Sequence, residues 1–238
     1  MINQITYQGL FYFVTAFSTF SIILLTLRSL SLKKECEQAG THNLTHCWHT
    51  KEQLEIVEII EETHDIKSFR FKRLGDLKLD KYLAGQFLSF QIGDDPKTLR
   101  SYSLSSTCEN ESILQVSIKH LADGLGSGWF HSLKKGEKVW AFPPHGLFTD
   151  DNLKNEDRIY IAGGIGITPV LSMILTGLDR STEANRYLFY GIKSTKDMAF
   201  HSMLEALSKR FSHFDYFPII SDDDSWSGDK GYLTLDFF

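Results

Sequence analysis

The chain has 238 residues, of which 42% are hydrophobic and 23% charged, so it can bury a packed core and its composition excludes a disordered protein. Its formal net charge of -5 gives no general basic surface for nucleic acid. Three cysteines, Cys36, Cys47 and Cys108, match neither a disulfide framework nor a Cys-x-x-Cys metal site, which favours a reducing compartment.

The N-terminal segment predicts a membrane span. The first 27 residues carry no charged side chain, and as a helix the apolar stretch 9–27 would be about 28 Å long, close to the hydrocarbon thickness of a bilayer. Arg28, Lys33 and Lys34 follow this stretch and nothing basic precedes it, so the positive-inside rule places the remaining chain in the cytoplasm. A cleaved signal peptide is the alternative, but a basic start and a small-residue exit are not evident. We therefore expect residues 1–32 to form a single-pass anchor in the inner, cytoplasmic membrane.

Residues 33–50 lack hydrophobic periodicity and are interpreted as a linker. The segment contains His42, His46, Cys47 and His49, which raises the question of a metal site. His46 and Cys47 are adjacent and so cannot share one helical face, and no second ligand pair follows. We predict no metal site here.

From residue 51 to residue 150 the pattern is that of short strands. Residues 114–119 alternate apolar and polar side chains, and residues 69–72 and 87–92 are rich in strand formers between Gly and Asp turns. This pattern predicts an antiparallel sheet, closed into a small barrel.

In residues 151–238 the rhythm changes. Residues 158–162 and 186–190 are nearly continuous apolar runs, each followed by a segment of helical length, which is typical of parallel β-α units. The first helix is expected to bury Leu171, Ile174, Leu175 and Leu178, and the second Met203, Leu204 and Leu207. The predicted fold class is thus β plus α/β: an antiparallel barrel followed by a partial parallel-sheet domain.

Two short motifs carry the chemistry. The segment 100–106, Arg-Ser-Tyr-Ser-Leu-Ser-Ser, offers a positive charge, an aromatic stacking face and hydroxyl groups on a strand. The segment 163–169, Gly-Gly-Ile-Gly-Ile-Thr-Pro, follows a buried-type strand and enters a helix, where clustered glycines let the backbone approach a pyrophosphate. Taken alone, the first is an ordinary sheet rim and the second an ordinary tight turn. Their order and spacing favour a flavin site followed by a dinucleotide site.

Residues 51–238 resemble the ferredoxin-NADP reductase superfamily, in which a flavin-binding β-barrel precedes a nicotinamide-binding α/β domain. The resemblance rests on Leu99–Ser106 and on Asp123–Trp129, and within the superfamily it points to the branch of the NADH oxidoreductase of hybrid-cluster protein. It implies an FAD-binding barrel at 51–150 and an incomplete NAD(P)-binding domain at 151–238.

The resemblance also implies roles for individual residues. Arg100 would pair with the FAD pyrophosphate, Tyr102 would stack on the isoalloxazine, and Ser103 would hydrogen-bond near flavin N5. Ile118 and Lys119 would form a main-chain contact strand, Gly126 and Ser127 a second phosphate contact, and Thr168 would approach the nicotinamide. Ser103, Tyr102 and Thr168 are the predicted catalytic residues. The predicted cofactor-binding positions are Arg100, Tyr102, Ser103, Leu104, Ile118, Lys119, Gly126, Ser127, Gly163, Gly164, Gly166, Ile167, Thr168 and Pro169.

Histidines are not assigned an acid-base role, because hydride transfer to a flavin needs positioning more than a protein base. The histidines interpreted as structural are His120, His131, His145 and His201.

Charge suggests which nicotinamide is used. Family members that take NADP tend to carry an arginine after the serine that corresponds to Ser221, whereas here Asp222, Asp223 and Asp224 follow. Carboxylates at that place would repel a 2'-phosphate, although Lys193 could offset part of the effect. We therefore expect NADH rather than NADPH.

The end of the sequence departs from the family. Residues 231–238 resemble the lead-in to a helix that the family follows with another strand and a Cys-Gly-Pro motif, so the sequence is expected to be a fragment or a truncated product. The three cysteines cannot hold a four-cysteine cluster. A 2Fe-2S cluster is therefore expected only if a further C-terminal domain exists.

Three functions remain open at this point. The first is a membrane-anchored reductase that passes electrons from NADH through FAD to an iron-sulfur protein or domain, with its catalytic part facing the cytoplasm. The second is a flavin-binding membrane module without turnover. The third, a transmembrane ferric or oxidase-type reductase, needs several spans with paired haem histidines, and a single span without histidine argues against it.

Overall fold

The computed structural model describes residues 48–76, 79, 81–150, 155–180 and 183–234. The predicted anchor and nearly all of the predicted linker lie outside these ranges. Among the helices of the described residues, none is long and apolar enough to cross a membrane.

The first half contains six antiparallel strands and one helix. The strands are β1 (Glu52–Glu61), β2 (Ile66–Arg73), β3 (Phe87–Gln91), β4 (Leu99–Ser103), β5 (Leu114–Lys119) and β6 (Lys138–Ala141), and helix α1 (Leu125–Ser132) lies between β5 and β6. The sheet order is β4-β3-β6-β1-β2-β5. Just after β4, Leu104 bridges to Val116 and the Ser105 N–H donates to the Gln115 carbonyl. This contact joins the two outer strands and closes the sheet into a barrel.

Strand β5 is buried on both faces, although its alternating pattern predicts one polar face. A chain of buried hydroxyls explains the difference. Ser68 Oγ donates to Glu62 Oε1 at 2.6 Å, and the Ser117 hydroxyl lies 2.7 Å from Ser68 Oγ and 2.8 Å from Ser105 Oγ. Because each hydroxyl has a partner, this polar face can be covered at little cost.

The second half is a three-stranded parallel sheet with order β7-β8-β9. Its strands are β7 (Arg158–Gly163), β8 (Arg186–Ile192) and β9 (Phe214–Ile220), with helix α2 (Ile167–Asp179) after β7 and helix α3 (His201–Arg210) after β8. The predicted order of an antiparallel sheet followed by a parallel one is therefore confirmed.

Of the seven residues expected on the buried helix faces, four are buried, two are partly buried and one is exposed. Leu171, Ile174 and Leu178 of α2 and Leu204 of α3 are buried, and Leu175 and Leu207 are partly buried and pack against the core. Met203 is exposed, because consecutive helical residues are about 100° apart and α3 packs only the narrow stripe through Leu204 onto the sheet.

The described residues from Thr50 onward belong to one compact unit. Helix α2 links the barrel to the parallel sheet, since Ser172 Oγ donates to the Ser106 carbonyl at 2.6 Å and the Cys108 N–H donates to Thr176 Oγ1 at 3.1 Å. The loop after the predicted flavin strand is thereby fixed to the helix that follows the glycine turn.

Candidate functional site

Strand β4 presents Arg100 and Tyr102 on one side, opposite Phe90 and Leu88 of β3. The Tyr102 ring is half-buried and meets Phe130 of α1 edge to face, with ring centroids 5.2 Å apart. Burial raises the pKa of the Tyr102 phenol, against the opposing effect of Arg100, so the ring is a neutral flat surface at physiological pH. The Arg100 side chain is exposed and donates to the Leu99 carbonyl at 2.7 Å.

The start of helix α1 lies against these two side chains. A Cβ at Gly126 would lie 2.7 Å from Arg100 Cγ and 2.6 Å from Tyr102 Oη, which is closer than carbon and oxygen atoms approach. Glycine at position 126 is thus what allows the arginine and the tyrosine to reach the helix start. The structure brings together three residues that the sequence places in the flavin site.

The N-terminus of α1 has no side-chain cap. Ser127 Oγ donates to the Gly124 carbonyl and accepts from the Leu121 N–H, both at 3.1 Å, so its hydroxyl is used within the preceding loop. The first-turn N–H groups lack intrahelical partners and carry the positive end of the helix dipole. A phosphate contact at this place would therefore come from the backbone rather than from the predicted Ser127 hydroxyl.

The remaining predicted flavin residues differ in which of their polar groups are available to a cofactor. Ser103 is the last residue of β4 and half-buried, and within the described ranges its hydroxyl has no hydrogen-bond partner. Leu104 is fully buried in the barrel. The Ile118 carbonyl accepts from His131 Nε2 at 2.9 Å, and Lys119 Nζ lies 3.1 Å from Asp65 Oδ2. At Leu104 and Ile118 only backbone groups that are not already bonded could contact a cofactor.

The glycine turn leaves room above its backbone. Residues Gly164–Gly166 form one turn of 3₁₀ helix between β7 and α2, and Tyr190 Oη donates to the Gly164 carbonyl at 3.1 Å. A Cβ at Gly163, Gly164 or Gly166 would meet no other described atom within 4 Å. Side-chain packing therefore requires glycine at none of these three positions. At Gly164 the backbone conformation favours glycine, because its φ is 48°. The open space fits a pyrophosphate at the start of a helix.

The other residues of this motif support the turn. Ile167 and Thr168 are buried in the first turn of α2, with Pro169 half-buried beside them. Thr168 Oγ1 donates to the Ile165 carbonyl at 3.2 Å. Its hydroxyl therefore stabilises the turn in this structure.

A cavity of about 560 Å³ lies at the carboxyl ends of the three parallel strands, where open α/β sheets bind ligands. It is lined by Gly163 at the end of β7, Lys193 after β8, Ser221 and Asp222 after β9, and the segment 231–233. Neither that segment nor Gly191 is predicted from the sequence as part of a site, because only the folded chain brings them to this edge of the sheet.

The three consecutive aspartates have different surroundings. Asp222 lines the cavity and lies 3.8 Å from Lys193 Nζ, with both side chains exposed. Asp223 Oδ1 accepts from Ser225 and its Oδ2 accepts from the Thr195 hydroxyl and N–H, and these hydrogen bonds lower the pKa of Asp223. Asp223 thus joins the loops after β8 and β9, and Asp222 is the carboxylate that faces the cavity.

Comparisons with known proteins agree with this division of the chain. The sequence matches the oxidoreductase FAD-binding domain over residues 53–149 and the oxidoreductase NAD-binding domain over residues 160–238. These matches confirm FAD and a nicotinamide dinucleotide as the expected cofactors.

Individual proteins show the same relationship. The glycine betaine monooxygenase reductase subunit of Pseudomonas aeruginosa is 30% identical over 75% of this chain and 50% of its own length. Ferredoxin--NADP reductase B of Sorangium cellulosum is 29% identical over 71% of this chain and 69% of its own length. The flavohem-like FAD/NAD binding domain of nitric oxide dioxygenase from Vibrio cholerae shares the fold, with a TM-score of 0.71 and 22% identity over 79% of this chain and 82% of that one. The chain spans about half the length of the monooxygenase reductase subunits it matches.

Proposed function

The chain belongs to the ferredoxin-NADP reductase superfamily, and from this premise we propose that it passes electrons from NADH through FAD to an iron-sulfur acceptor. FAD, when bound, supplies the change from a two-electron donor to single-electron transfer. The protein supplies binding and orientation. Arg100 and the start of α1 would hold the FAD pyrophosphate, Tyr102 would offer its ring face, and Ser103 would donate its unpartnered hydroxyl.

The observation that carries the proposal is the concentration of positive charge beside Tyr102. No ion-pair partner of Arg100 occurs among the residues that the structure describes, and the aliphatic part of its side chain lies against Gly126 in the first turn of the uncapped helix α1. Two positive features at one place are unfavourable unless an anion joins them. A pyrophosphate next to an aromatic face meets this requirement.

The decisive experiment is anaerobic reduction of the purified full chain. We expect a yellow protein whose flavin absorbance is bleached by NADH, with dithionite as the control for full reduction. Bound flavin that dithionite bleaches and neither nicotinamide reduces would instead select the alternative, a flavin-binding module without turnover. A chain that binds no flavin would refute both.

The choice of NADH rests on Asp222, because its carboxylate faces the cavity while Asp223 is held by Thr195 and Ser225. Asp222→Arg would replace repulsion of a 2'-phosphate by attraction, and we expect NADPH to gain about tenfold in kcat/KM relative to NADH. The matched control is Asp224→Arg. An equal shift in both variants, or a wild-type preference for NADPH, would contradict the assignment.

The names of the relatives support an iron-sulfur acceptor. Their names describe reductase components of monooxygenases and a ferredoxin reductase. We propose a 2Fe-2S protein or domain as the acceptor for this chain as well. NADH-dependent reduction of an added 2Fe-2S ferredoxin, followed by its visible absorbance, tests this, and flavin reduction without any transfer to such proteins would contradict it.

We also propose attachment to the inner membrane through the apolar segment 9–27, with the catalytic part in the cytoplasm. The test is fractionation of cells that express the full chain. Retention in the membrane pellet after alkaline carbonate washing is expected, and release into the wash would refute the anchor.

A further inference from the structure

Lys119, at the end of β5, contacts both halves of the protein. Its Nζ lies 3.1 Å from Asp65 Oδ2 in the turn between β1 and β2, and 3.9 Å from Asp197 Oδ1 in the turn after β8. Beside it, His64 Nδ1 is 3.3 Å from the Lys196 carbonyl. Hydrogen bonds from Lys119 and Thr63 outweigh partial burial and lower the pKa of Asp65, so the carboxylate is ionised and attracts the ammonium group.

Asp197 transmits this contact to the loop after β8. Its Oδ2 accepts from the Ser194 hydroxyl at 2.6 Å and from the Ser194 N–H at 3.2 Å, which closes a capping box around the turn Thr195–Asp197. The same turn is bound to the loop after β9 through Thr195 and Asp223. A continuous set of hydrogen bonds and ion pairs therefore runs from β5 to the two loops that carry Lys193, Ser221 and Asp222.

We propose that Lys119 is a positioning residue that holds the dinucleotide cavity in register with the flavin-binding barrel. This inference rests on the proposed function, which requires both cofactors to meet. It adds a role for the Lys119 side chain to the predicted main-chain contact of this strand with the flavin, because the side chain is directed to two carboxylates.

The charges explain why the effect should be specific. With Lys119 in place, one ammonium group lies between two carboxylates from different halves. Without it, Asp65 and Asp197 would face each other with like charges, and their repulsion would move the turn after β8 away from the barrel. Both side chains are partly shielded from water, so salt would screen this repulsion incompletely.

The test compares Lys119→Met with Lys67→Met in the full FAD-loaded chain. Lys67 lies on the neighbouring strand β2 and has similar exposure, 30% against 34%, but its ion pair with Glu61 stays within the barrel. NAD+ affinity is measured by calorimetry, FAD content by absorbance, and KM and kcat for NADH by steady-state reduction of an added electron acceptor. We expect Lys119→Met to weaken NAD+ binding and raise KM about three- to tenfold with unchanged FAD content, and Lys67→Met to leave all three unchanged.

Two further variants distinguish positioning from general damage. Lys119→Arg should restore NAD+ affinity, and Asp197→Asn should weaken it without adding to the effect of Lys119→Met, as expected for residues that act through one contact. Loss of FAD with unchanged NAD+ affinity in Lys119→Met would show that Lys119 is a direct flavin ligand and would overturn the proposal. Unchanged NAD+ affinity in both Lys119→Met and Asp197→Asn would also overturn it. If Lys119→Met does not fold, the NAD+ affinities of Lys119→Arg and Asp197→Asn decide whether the proposal holds. A wild-type chain that binds NAD+ but does not reduce flavin would refute the proposed function and leave the affinity comparison valid.

Discussion

Arg100 and Tyr102, which we propose to hold FAD, would contribute different interactions to the same site. The tyrosine gives area and orientation through its packing on Phe130, and the arginine gives charge. A ligand that lacks a pyrophosphate would use the packing surface of Tyr102 and not the charge of Arg100. The two contributions can therefore be separated by the choice of flavin.

Replacement of Arg100 by glutamine is predicted to weaken FAD binding about 10- to 100-fold, the range expected for loss of a charge-assisted hydrogen bond. Riboflavin, which has no phosphate, should bind the variant as it binds the wild type. Fluorescence titration of the apoprotein with both flavins measures the difference. Equal losses for FAD and riboflavin would mean that Arg100 contacts the ring or supports the strand.

At the scale of elements, helix α1 has two glycines with opposite requirements. Gly126 lies against Arg100 and Tyr102, whereas a Cβ at Gly128 would meet nothing within 4 Å. Gly128→Ala is predicted to stabilise the protein by roughly 0.5–1 kcal/mol through helix propensity. Gly126→Ala should displace both side chains and lower FAD affinity about tenfold or more. Urea unfolding and FAD titration of the two variants check this, and equal FAD affinities would contradict it.

Helix α1 is also fixed to β5 by His131, whose Nε2 donates to the Ile118 carbonyl. Burial lowers the pKa of His131 below its usual 6.5, against the opposing effect of this hydrogen bond. The unfolded chain therefore binds the proton more readily, and the folded protein loses stability as pH falls below about 6.5. His131→Gln keeps a donor that does not titrate. We predict that the thermal midpoint of the wild type falls more than that of the variant between about pH 8 and about pH 5.5; identical slopes would contradict the assignment.

The elements also show what the sequence can predict. The periodicity of hydrophobic residues was sufficient to predict the barrel strands and the β-α units, because it reflects which face of each element is buried. It did not predict the burial of Ser117, which depends on hydroxyl partners from β2 and from the segment after β4. The partners of Lys119 and the internal hydrogen bonds of Ser127 depend on contacts formed only on folding. The capping box from Ser194 to Asp197 was readable in the sequence and was missed.

At the scale of the whole molecule, α2 connects the two halves through residues spaced four apart. Ser172 and Thr176 share one face of α2, Arg180 is the C-cap residue below them, and the three contact Ser106, Cys108 and Glu109 in turn. The three contacted residues come just after β4, the predicted flavin strand, in the sequence. Unfolding of the barrel should therefore be coupled to unfolding of the parallel sheet.

Replacement of Ser172 by alanine tests this coupling, because it removes the fully buried donor to the Ser106 carbonyl. An unsatisfied buried carbonyl is expected to cost about 1–2 kcal/mol, or about 2–8 °C in thermal midpoint for a protein of this size. Ser202→Ala, at an exposed position of α3, is the control and should change nothing. Flavin fluorescence reports on the barrel and far-ultraviolet circular dichroism on the whole fold. Coincident midpoints in the wild type that separate in Ser172→Ala would establish that this face of α2 makes the two halves unfold together, and separate midpoints in the wild type would refute it.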